Sequence, residues 1–123
     1  MNTAARCLRV LVVDDEPLIR WSISETLGAA GHQVTEAQDA ASALKALADD
    51  PDLDLVLLDF RLPDSNDLGL LTRIRQIAPA AAVIMMTAFG TPDVTAGALK
   101  LGASKVLNKP FNMHDLEGVV RSL

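Results

Sequence analysis

Five times along this chain a short apolar run gives way to a segment with helical spacing. No other feature constrains the fold as tightly. A run that is apolar on both faces suits a strand buried inside a parallel sheet. Parallel neighbours need a crossover, and a helix supplies one. Leu8 to Val13 reads as the first strand. Pro17 suits the first turn of a helix, Ile19, Ile23, Leu27 and Ala30 form its stripe, and Gly31 caps its end.

The remaining four units follow the same rule. Gln33 to Ala37 is a weaker strand, and Asp39 caps a helix with Ala40, Ala43, Leu44 and Leu47 on one face. Asp50-Pro51-Asp52 breaks that helix; Leu53 to Leu58 is strand again and ends at Asp59. After a loop over 62–67, Leu70, Leu71, Ile74 and Ile77 form a stripe stopped by Pro79. Ala82 to Met86 is the fourth strand and delivers Thr87. Thr91-Pro92-Asp93 starts a helix whose face is Val94, Ala98 and Leu101, with Gly102 at its end. Ser104 to Asn108 is the fifth strand, and Asn112 with Asp115 opens a last helix packed by Leu116, Val119 and Val120. Five such pairs predict a parallel sheet with right-handed crossovers and helices on both faces.

The chain has 123 residues, half of them hydrophobic, enough for one domain with a real core. We expect a single domain over 1–123, with 1–7 an N-terminal extension and the core from about 8 to 123. Three Phe, one Trp and no Tyr make that core aliphatic. A net charge of −5 argues against direct nucleic-acid binding. A single cysteine, Cys7, allows no intrachain disulfide and fits a cytoplasmic protein. The longest apolar run near the middle, Ala80 to Met86, is far shorter than the ~20 residues of a membrane span.

The chemistry collects at strand ends. Asp14 and Asp15 follow the first strand, Asp59 the third, Thr87 the fourth and Lys109 the fifth. In open parallel sheets those ends share one rim, where ligands bind. Taken singly, each has a plain structural reading: helix cap for Asp14, Asp15 and Asp59, solvated surface cation for Lys109. Their joint placement on one rim favours one site. Carboxylates gathered together repel, and a hard cation with oxygen ligands relieves the repulsion. Mg²⁺ held by Asp14, Asp15, Asp59 and the backbone carbonyl of Arg61 would let Asp59 attack phosphorus as a nucleophile. Lys109 and Thr87 would then contact the phosphoryl oxygens. His32 and His114 read as structural, Cys7 as a small core or edge residue, Met85 and Met86 as core. Trp21 lies off the stripe of its helix and is expected to be partly exposed.

The segments VLVVDDEP, LVLLDFRLPD, MMTAFGT and NKPF together resemble the receiver domains of two-component response regulators, from about Arg9 to Leu123. The resemblance implies a flavodoxin-like sheet in order 2-1-3-4-5 with five helices. It implies that Asp14 and Asp15 are the Mg²⁺ pair, Asp59 the phosphoacceptor, Thr87 the switch hydroxyl and Lys109 the paired lysine. It also implies a cis peptide before Pro110. TAFGT, ALKLGA and KPF resemble the NtrC type, whose full-length members carry an AAA+ ATPase and a helix-turn-helix domain. The implied function is a regulatory phosphoacceptor, charged by a sensor histidine kinase and controlling transcription, rather than an enzyme with an external substrate. Homodimerisation through the fourth helix, fifth strand and fifth helix is expected.

Two positions depart from the family pattern. Val106 stands where an aromatic usually lies three residues before the lysine, and Asp67 where a loop glycine is common. Two rival readings have specific discriminators. A phosphohydrolase of the haloacid-dehalogenase kind needs a second acid two residues after its nucleophile, and that place holds Arg61. A non-phosphorylated interaction module has no need of the intact acids, hydroxyl and lysine.

Overall fold

A computed structural model of the chain describes residues 7–65, 68–88 and 90–123. Strands and helices alternate as β1 (Arg9–Val13), α1 (Pro17–Ala29), β2 (Gln33–Ala37), α2 (Ala40–Asp49), β3 (Leu55–Asp59), α3 (Gly69–Ile77), β4 (Ala82–Thr87), α4 (Pro92–Lys100), β5 (Lys105–Asn108) and α5 (Met113–Arg121). The strands form one parallel sheet in the order β2-β1-β3-β4-β5. This is the doubly wound arrangement that the motifs implied.

Side-chain alternation along the strands divides the core between the two faces of the sheet. Leu11, Val13, Val56, Leu58, Val83 and Met85 pack with Ala43, Leu47, Leu71, Ile74 and Ala98 from α2, α3 and α4. Val10, Val12, Leu55, Leu57, Ile84 and Met86 pack with Ile23, Leu27, Leu116 and Val120 from α1 and α5. Each fully buried Leu or Ile contributes roughly 2 kcal/mol of burial free energy. The central strand β3 is buried along its whole length, which explains its unbroken run of apolar residues up to Asp59.

The helix starts form as their sequences dictate. Asp39 accepts from Ser42 N at 2.8 Å, Thr91 from Val94 N at 3.3 Å and Asn112 from Asp115 N at 2.7 Å. Gly31 and Gly102, with φ of 97° and 108°, supply the left-handed residue after α1 and α4.

Several expectations shift in detail. β3 begins at Leu55, because Asp54 turns its N–H and carboxylate back onto Arg9. β4 runs on through Thr87, and β5 starts at Lys105. Of the stripe expected on α4 only Ala98 is buried; Leu101 lies past the end of the helix and is exposed. Cys7 is exposed ahead of β1 rather than in the core. Trp21 is exposed, as its position off the α1 stripe predicted. His32 has a structural role, its Nδ1 accepting from Leu8 N at 3.0 Å. Among the described residues no helix is long and apolar enough to cross a membrane. The readings placed on Asp67 and the first six residues lie outside the described residues.

Candidate functional site

Strand register brings the site together. Val13 pairs with Leu58, so Asp14 leaves β1 level with Asp59 on β3. Thr87 pairs with Asn108, so Lys109 emerges one residue beyond β5, and its N–H donates to the Thr87 carbonyl at 2.8 Å. The Lys109-Pro110 peptide is cis. Asp59, Thr87 and Lys109 line a cleft of about 260 Å³ together with Asp15, Glu16, Arg61 and Ala88. All the site residues read from the sequence other than Asp14 line this cleft; Asp14 lies buried behind it.

Asp14 is fully buried and every polar group it carries is engaged. Its N–H donates to Ala37 O at 3.1 Å. Its carbonyl accepts from Arg20 Nη1 at 2.7 Å. Its Oδ1 accepts from Glu16 N at 2.9 Å, and its Oδ2 from Lys109 Nζ at 2.9 Å. The plain reading of Asp14 as a local cap is thus half right: one carboxylate oxygen caps the turn, and the other faces the cation from the far end of the sheet.

Lys109 Nζ also lies 3.3 Å from Asp59 Oδ1 and 3.3 Å from Glu16 Oε1. Burial works to lower the pKa of this amine, but the hydrogen bond to Asp14 and the charges of Asp59 and Asp14 outweigh it, so the pKa is raised. Lys109 is therefore a fixed positive charge. Asp59 behaves oppositely. Burial, and then the neighbouring Asp14 charge, push its carboxyl up to about 6, although Lys109 and the backbone N–H of Arg61 pull it down. One lysine does not neutralise this many acids.

That imbalance fits a divalent cation. Asp14, Asp15 and Asp59 each offer a carboxylate oxygen, and these oxygens lie within 4.8 Å of one another. Oxygens around an octahedral Mg²⁺ lie roughly 3–4 Å apart, so the three converge to nearly the spacing such an ion requires. Asp15 is exposed and Asp59 faces the cleft, so both can reach an ion directly. The donor set is all oxygen, which suits a hard ion rather than a soft one.

Two participants escaped the reading of the sequence. Glu16 reaches Lys109, and its place directly after the acid pair was the available signal. Arg20 bridges Asp14 to Glu36 on β2, and its only signal was a spacing of one helical turn beyond Glu16. Asp64 was read as loop; its carboxylate accepts from Ala40 N and Ala41 N at 2.8 and 3.1 Å, tying the segment after β3 to the start of α2. Of the two departures from the family pattern, Val106 is half-buried against the core, an aliphatic contact in place of an aromatic one.

Comparison with known proteins agrees with this geometry. The response regulator receiver domain family matches residues 10–121. The response regulator PilR of Pseudomonas aeruginosa is 40% identical over 112 residues, covering 91% of this chain and 25% of PilR. The transcriptional regulator NtrC of Escherichia coli is 38% identical over 111 residues, covering 90% of this chain and 24% of NtrC. The chain thus spans about a quarter of the length of these relatives. A CheY-like receiver domain from Methanospirillum hungatei superposes with a TM-score of 0.88 at 29% identity, covering 95% of this chain and 93% of that one. A chain with these motifs, this sheet order and these relatives belongs to the response regulator receiver domains of two-component systems, on the branch of the NtrC and PilR transcriptional regulators.

Proposed function

We propose that Asp59 accepts a phosphoryl group from a histidine kinase and that the charged domain switches its output face to control transcription. The observation that carries this reading is the Asp59 carboxylate. It is buried to 6% exposure yet lines an open cleft, with Lys109 Nζ at 3.3 Å. In the transfer, one Asp59 oxygen forms the new bond to phosphorus as the bond to the donor imidazole nitrogen breaks. Asp15, Asp59 and the Arg61 carbonyl would hold Mg²⁺, with Asp14 beside them. When bound, Mg²⁺ offsets the charge of the acids and of the incoming phosphoryl oxygens. Lys109, already oriented by Asp14, supplies a fixed positive charge to the phosphoryl oxygens. Thr87, buried beside the cleft, supplies a hydroxyl to a phosphoryl oxygen.

The output follows from where Thr87 and Lys109 sit. Thr87 ends β4 and Lys109 follows the edge strand β5, and they lead into the segments that begin α4 and α5. Contacts with phosphoryl oxygens made in one arrangement and not the other bias these elements. The α4–β5–α5 face, with Leu99 and Leu101 exposed, would then pair with a second copy. In a longer protein this single domain, residues 1–123, would govern an attached AAA+ ATPase and DNA-binding domain in the cytoplasm. Its only chemistry would be its own Mg²⁺-dependent phosphorylation and dephosphorylation. Intact mass spectrometry after acetyl phosphate treatment tests the reading. One added phosphoryl group in Mg²⁺ and none in EDTA supports it; no addition in Mg²⁺ rejects it.

A further inference from the structure

The β1–α1 turn carries two of the three converging acids, and a single side chain outside the cleft holds it. Arg20 Nη1 donates to the Asp14 carbonyl at 2.7 Å, while its Nε donates to Glu36 Oε1 at 3.0 Å. The Arg20 side chain is 17% exposed, and its partner Glu36 stands on the edge strand β2. The Asp14 carbonyl belongs to the Asp14–Asp15 peptide, so fixing that oxygen fixes the plane from which the Asp15 carboxylate projects. The Arg20 N–H also donates to Glu16 O at 3.0 Å, closing the turn from the helix side. One residue therefore grips the peptide before Asp15 with its guanidinium and the carbonyl of Glu16 with its backbone.

We infer that Arg20, oriented by Glu36, is a positioning residue for the divalent-cation site: it sets Asp15 through the Asp14 carbonyl without touching the ion. This rests on the reading of the acid cluster as a cation site. A planar guanidinium suits the task because its donors reach two acceptors in fixed directions. Side chains that orient metal ligands without touching the ion commonly change metal affinity by about tenfold or more.

Charge and position predict opposite signs here, which makes the inference testable. Arg20 is a cation near a cation site. If it acted only through its charge, its removal would tighten binding of a divalent ion. If it acts by holding the turn, its removal weakens binding. The test is Mn²⁺ binding by the whole chain, measured by electron paramagnetic resonance, for wild type, Arg20→Gln, Glu36→Gln and the double variant. Melting curves verify that each is folded. We expect Kd to rise about tenfold in R20Q, by a smaller factor in E36Q, and no further in the double variant than in R20Q alone. An unchanged or lower Kd in R20Q overturns the inference while leaving the cation site intact. Should R20Q not fold, E36Q decides, since Glu36 is 44% exposed at the sheet edge, and an unchanged Kd there overturns the inference. Absence of Mn²⁺ binding by the wild type overturns the cation site itself.

Discussion

Lys109 and Asp14, 95 positions apart in the chain, meet with Nζ 2.9 Å from Oδ2 beneath the cleft. The pair joins the interior strand β1 to the end of the edge strand β5, and both side chains are almost wholly buried. Asp59 shares the same amine at 3.3 Å. One lysine thus serves two buried acids.

Mg²⁺ is expected to raise the melting temperature, because the ion finds its ligands assembled only in the folded chain. At ten times Kd the gain is about 1.4 kcal/mol, a shift of roughly 5 °C for a domain of this size. Differential scanning calorimetry in MgCl₂ against EDTA measures it, and coincident curves would count against the site.

The pH dependence has a definite sign. Without metal, the folded-state pKa of Asp59 is raised to about 6 from an ordinary 3.8. Between those values the folded state holds more protons than the unfolded one, so this group's contribution to stability falls as pH rises through the window. The full shift corresponds to about 3 kcal/mol, and solvent in the open cleft screens part of it. Asp59→Asn removes the titrating group. In EDTA, the variant's urea midpoint should exceed that of the wild type by more at pH 7 than at pH 4. A constant difference between the two would show that Asp59 ionises normally.

Lys109→Met should act in two directions at once. Leaving Asp14 buried without its cation costs about 3 kcal/mol, so the metal-free variant melts early. Mg²⁺ then has more repulsion to relieve and should stabilise the variant by more than it stabilises the wild type. Phosphodonor-induced dimerisation, followed by light scattering, should be lost. A variant that still dimerises on phosphodonor treatment would separate Lys109 from the switch.

Gly90→Ala probes the segment between β4 and α4. A Cβ at this glycine would overlap the side chain of Asn108 and come within 3.5 Å of Thr87 Cγ2. Asn108 immediately precedes Lys109, so the added methyl must displace the end of β5 or the segment that follows Thr87. We expect the variant to fold and bind Mg²⁺ with little change, and to dimerise less on treatment with acetyl phosphate. Unaltered dimerisation would show that Asn108 swings aside freely.

Much of this was legible in the chain because the signals were local. Asp39, Thr91 and Asn112 each announce a helix start with their own side chain, and each forms the expected cap. Asp14, Asp59 and Lys109 lay at the ends of apolar runs, and a parallel sheet has only one rim where such ends collect. What escaped the sequence depended on distance in three dimensions. Arg20 acts through a backbone carbonyl, which any residue supplies, so nothing in the composition marks its target. Asp64 caps a helix that precedes it in the chain, a contact no local pattern encodes. The start of β3 moved because Asp54 bonds to Arg9, forty-five positions earlier.

The most direct test of Asp59 as phosphoacceptor is borohydride reduction of the acetyl phosphate-treated chain in Mg²⁺, followed by tandem mass spectrometry. Reduction turns an aspartyl phosphate into homoserine and so marks the modified position. We expect homoserine at position 59, absent in EDTA and absent from D59N. Homoserine at another aspartate, or at none, contradicts the assignment.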